Sequence, residues 1–276
     1  MLLLRAMKSI ALLALLAFPL LSPFLASCAH TRFDPVNATG FSYIDGPEGR
    51  YFAYIPKDAA ERARRGERLP VIMFLHGADE RGDDPARPTQ VGLGPFVDET
   101  HGAFPFVVLF PQCPKGHFWP EPAQQQRLVR LLADAMPKVG GDPERVYLTG
   151  NSMGGYGTWL LGAEHPELFA AIVPICGGVK PPRGYSMPPE SRFGRSADPY
   201  TDVAKALGKM PVWAFHGAKD WLVPPAETRS LVAALHANGN EAKHTEYPGV
   251  GHQSWNIAYA DAALFTWLAE QRLSRR

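Results

Sequence analysis

Cysteine is scarce, with three residues in 276, too few for the disulfide framework of a small secreted scaffold. An excess of either charge is also missing: 28 basic residues face 27 acidic ones, for a net charge of +1, which leaves no electrostatic footprint for nucleic acid. The chain shows no His, Cys, Asp and Glu cluster at metal-ligand spacing and no phosphate-binding glycine loop, so neither a metal nor any other cofactor is implied. No internal repeat or interdomain linker is visible, and one domain is the economical interpretation. Hydrophobic content of 46% with 20% charged residues is that of an ordinary globular protein.

What the chain does have starts at its N-terminus. Arg5 and Lys8 precede the apolar run ALLALLAFPLLSPFLAS, and a basic flank before a hydrophobic stretch of that length reads as an export signal over residues 1–27. Its end, Leu25, Ala26, Ser27 and Cys28, resembles the lipobox of bacterial lipoproteins. That resemblance implies a lipid on Cys28, membrane attachment through it, and a place in the bacterial cell envelope. Two alternatives stay open: cleavage near Ala29 with release into the periplasm or medium, or a retained anchor, which Pro19 and Pro23 weaken.

Downstream, apolar runs recur between Gly and Pro punctuation: RYFAYIP, VIMFLHG, FVVLFPQ, RVYLTGN, AAIVPICGG, VWAFHG and the weaker HTEYPG. Short, near-continuous apolar runs are how strands covered on both faces look. Helical spacing appears between or after them at residues 123–139, 153–163, 226–237 and 257–273. Strands alternating with helices give right-handed crossovers. The expected class is therefore α/β, a mainly parallel sheet of about eight strands with helices on both faces. Two connections, residues 78–104 and 177–199, are long enough to line a pocket.

The stretch GNSMGG, residues 150–155, sets one serine among glycines between a strand and a helix. Glycines there suggest a turn so tight that a Cβ would collide with neighbouring backbone. A serine on such a turn projects its hydroxyl beyond the strand ends, where ligands gather in open parallel sheets, and the first amides of the next helix lie beside it. Ser152 is the expected nucleophile, and it requires a base and a group to orient that base. In the chain order serine, acid, histidine, Asp220 in HGAKDWLVP is the expected acid and His252 in YPGVGHQSW the expected base. His244 is the rival base; Asp198 and Asp202 are the rival acids, otherwise a loop carboxylate and a helix cap respectively.

The backbone N–H groups of Met153 and Ala78 are the expected oxyanion donors. Trp119, Trp221 and Trp255 sit in loops near these segments, either walling a substrate pocket or packing loops onto the sheet. Glu80 and Arg81 either bind a polar substrate group or pair with each other. Because a protonated imidazole cannot act as base, activity is expected to decline on acidification.

Over residues 50–272 the chain resembles an α/β-hydrolase. It is most similar to small secreted esterases and predicted peptidases related to the prolyl-oligopeptidase catalytic domain and to dienelactone hydrolases. The segments LHGADERGDD, PQCP, GNSMGGYGTW, PICGG, HGAKDWLVP and GVGHQSW carry the resemblance. It implies a catalytic domain over residues 50–276, preceded by a tether and first edge strand in residues 28–49. Two departures limit what transfers: dienelactone hydrolases use a cysteine nucleophile where this chain has Ser152, and a chain of this length has no room for a prolyl-oligopeptidase β-propeller.

The expected activity is hydrolysis of carboxylic esters through an acyl-enzyme. Its substrate would be a small-molecule or polysaccharide-linked ester, with acetyl and feruloyl groups as examples. A serine peptidase and a non-catalytic surface binding protein are the alternatives. The superfamily's strand order also sets the strands ending at Cys113 and Cys176 about three positions apart. At about 4.8 Å per strand that exceeds disulfide reach, so both are expected as free thiols.

Overall fold

The computed structural model describes residues 40–182 and 193–275; the leader with Cys28, and residues 183–192 of the second long connection, lie outside them. Along the chain come β1 (Gly40–Gly46), β2 (Gly49–Ile55), α1 (Ala59–Arg64), β3 (Leu69–Leu75), α2 (Leu93–Glu99), β4 (Val107–Phe110), α3 (Pro122–Lys138), β5 (Gly141–Asn151), α4 (Met153–Glu164), β6 (Ala171–Ile175), α5 (Pro199–Leu207), β7 (Trp213–Gly217), α6 (Ala226–Ala237), β8 (Lys243–Tyr247), α7 (Trp255–Ala260) and α8 (Ala262–Glu270). All eight strands join one sheet in the order β1-β2-β4-β3-β5-β6-β7-β8. The β1–β2 and β2–β4 pairs are antiparallel, and every pairing from β4 to β8 is parallel. This is the α/β architecture expected from the pattern of apolar runs. Since β1 pairs residue for residue with β2, the sheet includes Gly40–Gly46, upstream of the domain boundary expected at residue 50.

Side chains of the central strands alternate between two cores. Val71, Met73 and Leu75 of β3 face the one covered by α3, α4, α5 and α6, while Ile72 and Phe74 face the one covered by α2, α7 and α8. Both faces are dry, which is why these strands lack polar alternation in sequence. Helix α4 is the most enclosed, with every residue from Met153 to Ala163 buried. It can start so deep only because glycine opens it: a Cβ on Gly154 would overlap the Leu75 carbonyl of β3, and one on Gly155 the Ile175 carbonyl of β6. Gly154→Ala is accordingly expected to destabilise the protein by at least about 3 kcal/mol. Thermal unfolding measures this, and an unchanged midpoint would contradict so close an approach.

Several local expectations change. The helix expected over residues 257–273 is two helices, because Asp261 leaves helical geometry (φ −80°, ψ 105°) and its carboxylate accepts the Ala263 N–H to cap α8. Helices α1 and α2, of six and seven residues, are too short to show a 3.6-residue periodicity, and α2 lies inside the connection expected as a loop over residues 78–104. The two rival acids exchange roles: Asp198 caps α5 through the Thr201 N–H at 3.3 Å, and Asp202, inside the helix, accepts from Ser196 Oγ at 2.6 Å. Cys113 and Cys176 are buried and unbridged, beyond β4 and β6, which stand three positions apart. No helix among the described residues is long and apolar enough to cross a membrane.

Candidate active site

Strand β5 delivers Ser152 at its C-terminal end in a conformation, φ 55° and ψ −118°, close to those of Gly208 (φ 56°, ψ −117°) and Gly92 (φ 69°, ψ −119°). For an L-residue such geometry stores about 1–3 kcal/mol of strain. The turn is held to the end of β6, where Ile175 O accepts the Ser152 N–H at 3.0 Å and Cys176 Sγ accepts it at 3.3 Å. Because β5, β7 and β8 run parallel, their C-terminal ends open on one rim, and the loops after them bring residues 152, 220 and 252 together. The Ser152 hydroxyl donates to His252 Nε2 at 2.8 Å, and His252 Nδ1–H donates to Asp220 Oδ2 at 2.7 Å. With its Nδ1 proton committed to a carboxylate, the ring has a lone pair at Nε2 for the serine proton.

Asp220 is fixed from three sides. Its Oδ1 accepts the N–H groups of Leu222 and Val223, each at 2.9 Å. Its Oδ2 is shared between His252 and His216, whose Nε2 lies at 3.2 Å. Burial alone would raise the Asp220 pKa, but hydrogen bonds from His216, His252 and the Val223 amide outweigh it and hold the carboxyl well below the ordinary carboxylate range. His216 went unnoticed in sequence. Its Nε2 also faces Val223 O at 3.0 Å and its Nδ1 pairs with the Thr228 hydroxyl at 2.8 Å, so Nε2, between two acceptors, carries a proton. The signal was present: LHG at the end of β3 and FHG at the end of β7 both set a buried histidine under a strand end.

The first of those histidines, His76, is neutral scaffolding. Its Nε2 accepts the Cys113 N–H at 3.0 Å, so Nδ1 bears the hydrogen and donates to Gly77 O at 2.6 Å. Burial pushes its pKa down to about 4 from the ordinary histidine value of 6.5. The unfolded chain therefore takes up this proton first as pH falls, and stability from the neutral ring is present at pH 7 and lost between pH 6.5 and 4. At about 1.36 kcal/mol per unit the loss by pH 4 is about 3 kcal/mol. Urea denaturation at pH 7 and pH 4 should show this loss in the wild type and reduce it in His76→Gln, which keeps a donor and an acceptor but does not titrate.

The remaining residues singled out from sequence divide. Gly77 lies against the elbow, since a Cβ there would be 3.8 Å from Ser152 Cβ. Ala78 follows it, half-buried, with an N–H that has no partner among the described residues. Met153 opens α4, where a first-turn N–H has no acceptor within the helix. Of the two roles open to Trp119, pocket wall or loop packing, the structure gives it the second: it is fully buried, its Nε1 donates to His76 O at 2.9 Å and its ring meets the His76 ring edge-on. It supports the loop from beneath and offers no face to a substrate. Trp255 packs perpendicular to the His252 ring at 5.5 Å and lines a cavity of about 430 Å³ between α2 and α7. Trp221, next to Asp220, is 83% exposed.

Glu80 and Arg81 have separate partners. Arg81 Nε donates to Ala78 O at 2.8 Å and its guanidinium lies over Phe118. The half-buried Glu80 carboxyl is raised in pKa, first by burial and then by Asp79, although the Glu80 and Gly77 amides face it. His244, in β8, is half-buried and its Nε2 is unpartnered. A Cys176 sulfur, an Asp220 oxygen and a His252 nitrogen lie within 4.8 Å of one another, a grouping able to hold a metal ion. Burial raises the Cys176 pKa, which opposes the thiolate such a ligand set requires.

A sheet of this strand order, carrying a serine on a strained strand-to-helix elbow, defines an α/β-hydrolase. Within that class the chain belongs to the prolyl oligopeptidase family, whose sequence profile matches residues 128–273, a span that takes in Ser152, Asp220 and His252. It is 26% identical over 190 residues to poly(3-hydroxyalkanoate) depolymerase C of Paucimonas lemoignei, covering 59% of this chain and 43% of that one. The structure of a thermostable esterase superposes with a TM-score of 0.67 at 30% identity, over 86% of this chain and 64% of the esterase. A ferulic acid esterase shares the fold, with a TM-score of 0.58 at 17% identity, over 83% of this chain and 95% of that one. The chain thus spans less than two thirds of the depolymerase and of the thermostable esterase.

Proposed function

We propose that the protein is a serine hydrolase that cleaves carboxylic esters through an acyl-enzyme. The observation that carries this conclusion is the unbroken hydrogen-bond chain from Ser152 Oγ through His252 to Asp220. As Ser152 Oγ attacks the ester carbonyl, His252 Nε2 takes its proton and the ionised Asp220 stabilises the imidazolium. The N–H groups of Ala78 and Met153 receive the oxyanion. His252 returns the proton to the departing alkoxide, which leaves as the alcohol while Ser152 stays acylated. Water, deprotonated by the same imidazole, then attacks the acyl-enzyme and releases the carboxylic acid.

The proposal places the acyl group of a neutral substrate in the cavity between α2 and α7, which is lined by Trp255, the residue packed on the His252 ring. Val91, Phe96, Trp255 and Tyr259 supply apolar lining, and the one charged residue along it is Glu99, which repels anions. Acetyl or feruloyl esters of polysaccharides fit that chemistry, and the likeness to a polyester depolymerase supports a polymer-linked alcohol or acyl group. Peptide amides are the competing substrates, favoured by the family's name; a non-catalytic binding protein is the alternative outside enzymes. A fluorophosphonate probe, followed by turnover of acetylated, feruloylated and peptide compounds, separates the three. We expect labelling at Ser152 and faster cleavage of esters. Absent labelling would leave a binding protein, and faster cleavage of peptides would leave a peptidase. Export and a lipid on Cys28, anchoring the enzyme in the cell envelope, belong to the same proposal; the mass of the mature N-terminus tests them.

A further inference from the structure

Five consecutive main-chain carbonyls after β3 each accept a hydrogen bond from a different side chain. Trp119 Nε1 donates to His76 O at 2.9 Å, His76 Nδ1 to Gly77 O at 2.6 Å, Arg81 Nε to Ala78 O at 2.8 Å, Arg87 Nη2 to Asp79 O at 2.9 Å, and Gln112 Nε2 to Glu80 O at 2.7 Å. Surface loops ordinarily leave many such carbonyls to water. A planar trans peptide holds its N–H opposite its C=O, so tying a carbonyl down also aims the amide of the next residue. Gly77 C=O and Ala78 N–H share one such plane. The Gly77 and Glu80 amides face the Glu80 carboxyl, whereas the Ala78 N–H has no partner among the described residues.

The five ties differ in origin. Trp119 and His76 are core groups beneath the loop, and Arg81 belongs to the loop itself. Arg87 and Gln112 reach it from other segments. Arg87 comes from the exposed turn before α2. Gln112 follows β4, and its own carbonyl is tied in turn by Arg127 Nη1 at 2.7 Å.

We propose that Arg87 and Gln112 are positioning residues for ester hydrolysis: by tying Asp79 O and Glu80 O they hold the loop so that the Ala78 N–H stays aimed at the oxyanion. Neither side chain reaches the reacting atoms. The inference rests on Ala78 serving as an oxyanion donor in the function proposed above. A donor held before the reaction spends no energy on reorientation as charge develops. Loosening it should therefore lower kcat, while the bound neutral ester, which makes less use of that donor, keeps its KM.

The test uses the purified full chain and its Arg87→Ala, Arg87→Lys and Gln112→Leu variants, with p-nitrophenyl acetate turnover, phenylboronic acid inhibition and thermal unfolding. For Arg87→Ala we expect kcat to fall about tenfold, a fraction of the roughly 10²–10³-fold that loss of a whole donor costs, with KM changed less than about twofold. Affinity for the tetrahedral boronate should weaken by the same factor as kcat. Arg87 is exposed, so Tm should hold, and Arg87→Lys should recover most of the rate. Gln112→Leu should show the same kcat-specific loss. Unchanged kcat in both donor-deleting variants, a rise in KM alone, or a rate loss that follows a fall in Tm would each overturn the inference. If the wild type hydrolyses no ester, the proposed function fails and takes this inference with it; an active wild type with indifferent variants sinks this inference alone.

Discussion

Ser152→Ala should lower kcat for ester hydrolysis by about 10⁵-fold or more, because losing the nucleophile of a coupled serine–histidine–acid set removes nearly all that the set supplies. What remains should be the small background from bound substrate and oxyanion donors. The variant should fold, since the hydroxyl bonds to His252, while the backbone contacts to Ile175 and Cys176 do not involve the side chain. A companion variant separates chemistry from strain. Ser152→Gly should be equally inactive yet more stable than Ser152→Ala by about 1 kcal/mol, because glycine adopts φ 55° without a Cβ penalty. Ester kinetics and denaturant midpoints measure both. Residual turnover within about tenfold of wild type in Ser152→Ala would remove Ser152 from the reaction. An alanine variant at least as stable as the glycine variant would show that the elbow stores no strain.

Asp220→Asn should lower kcat by about 10³–10⁴-fold with modest change in KM. The amide is nearly isosteric, and its oxygen can still accept the Leu222 and Val223 N–H groups. Its NH₂ would then face His252 Nδ1 as a donor. The imidazole responds by moving its proton to Nε2, where it can no longer take one from Ser152. His216 feels the same reversal, because its protonated Nε2 lies 3.2 Å from the Asp220 oxygen that becomes nitrogen. Stability carries a second signature. Since the folded-state pKa of Asp220 is depressed, the stability its ionised form adds is fully present above the unfolded value of about 3.9 and is lost as pH falls below it. Denaturation at pH 7 should find Asp220→Asn less stable than wild type, with the gap closing under strong acid. A variant within about threefold of wild-type kcat would show that the carboxylate neither sets the tautomer nor stabilises the imidazolium.

Much of the active rim was legible in sequence because its parts are local signals. GNSMGG announces a tight turn through its glycines, and the structure supplies the reason in the Leu75 and Ile175 carbonyls that crowd α4. HGAKD and GVGHQ each follow a strand-like run, so residues 220 and 252 could be assigned to loops beyond strand ends before any contact was known. Trp119 was harder to place. A tryptophan between HF and PEP looks like loop decoration, and nothing local reveals that it lies under His76. The same holds for His216, whose position in FHG is plain but whose contact with Asp220 depends on the chain doubling back after β7. Asp261 was missed for another reason: an N-cap inside a continuous apolar pattern is outvoted by its neighbours.

The amino-acid sequence by itself determined the alternation of strands and helices, the parallel sheet and the elbow at Ser152. Those follow from side-chain periodicity and from where a Cβ is tolerated, both written in the order of residues. Only the tertiary structure decided which side chains meet: His252 with Ser152 and Asp220, His216 on the acid's far side, and Trp119, Arg87 and Gln112 on the carbonyls of one loop. Most of these contacts join distant segments, up to 100 positions apart for Ser152 and His252. Their geometry comes from strand order and twist acting on the whole sheet, and no window of sequence carries that information.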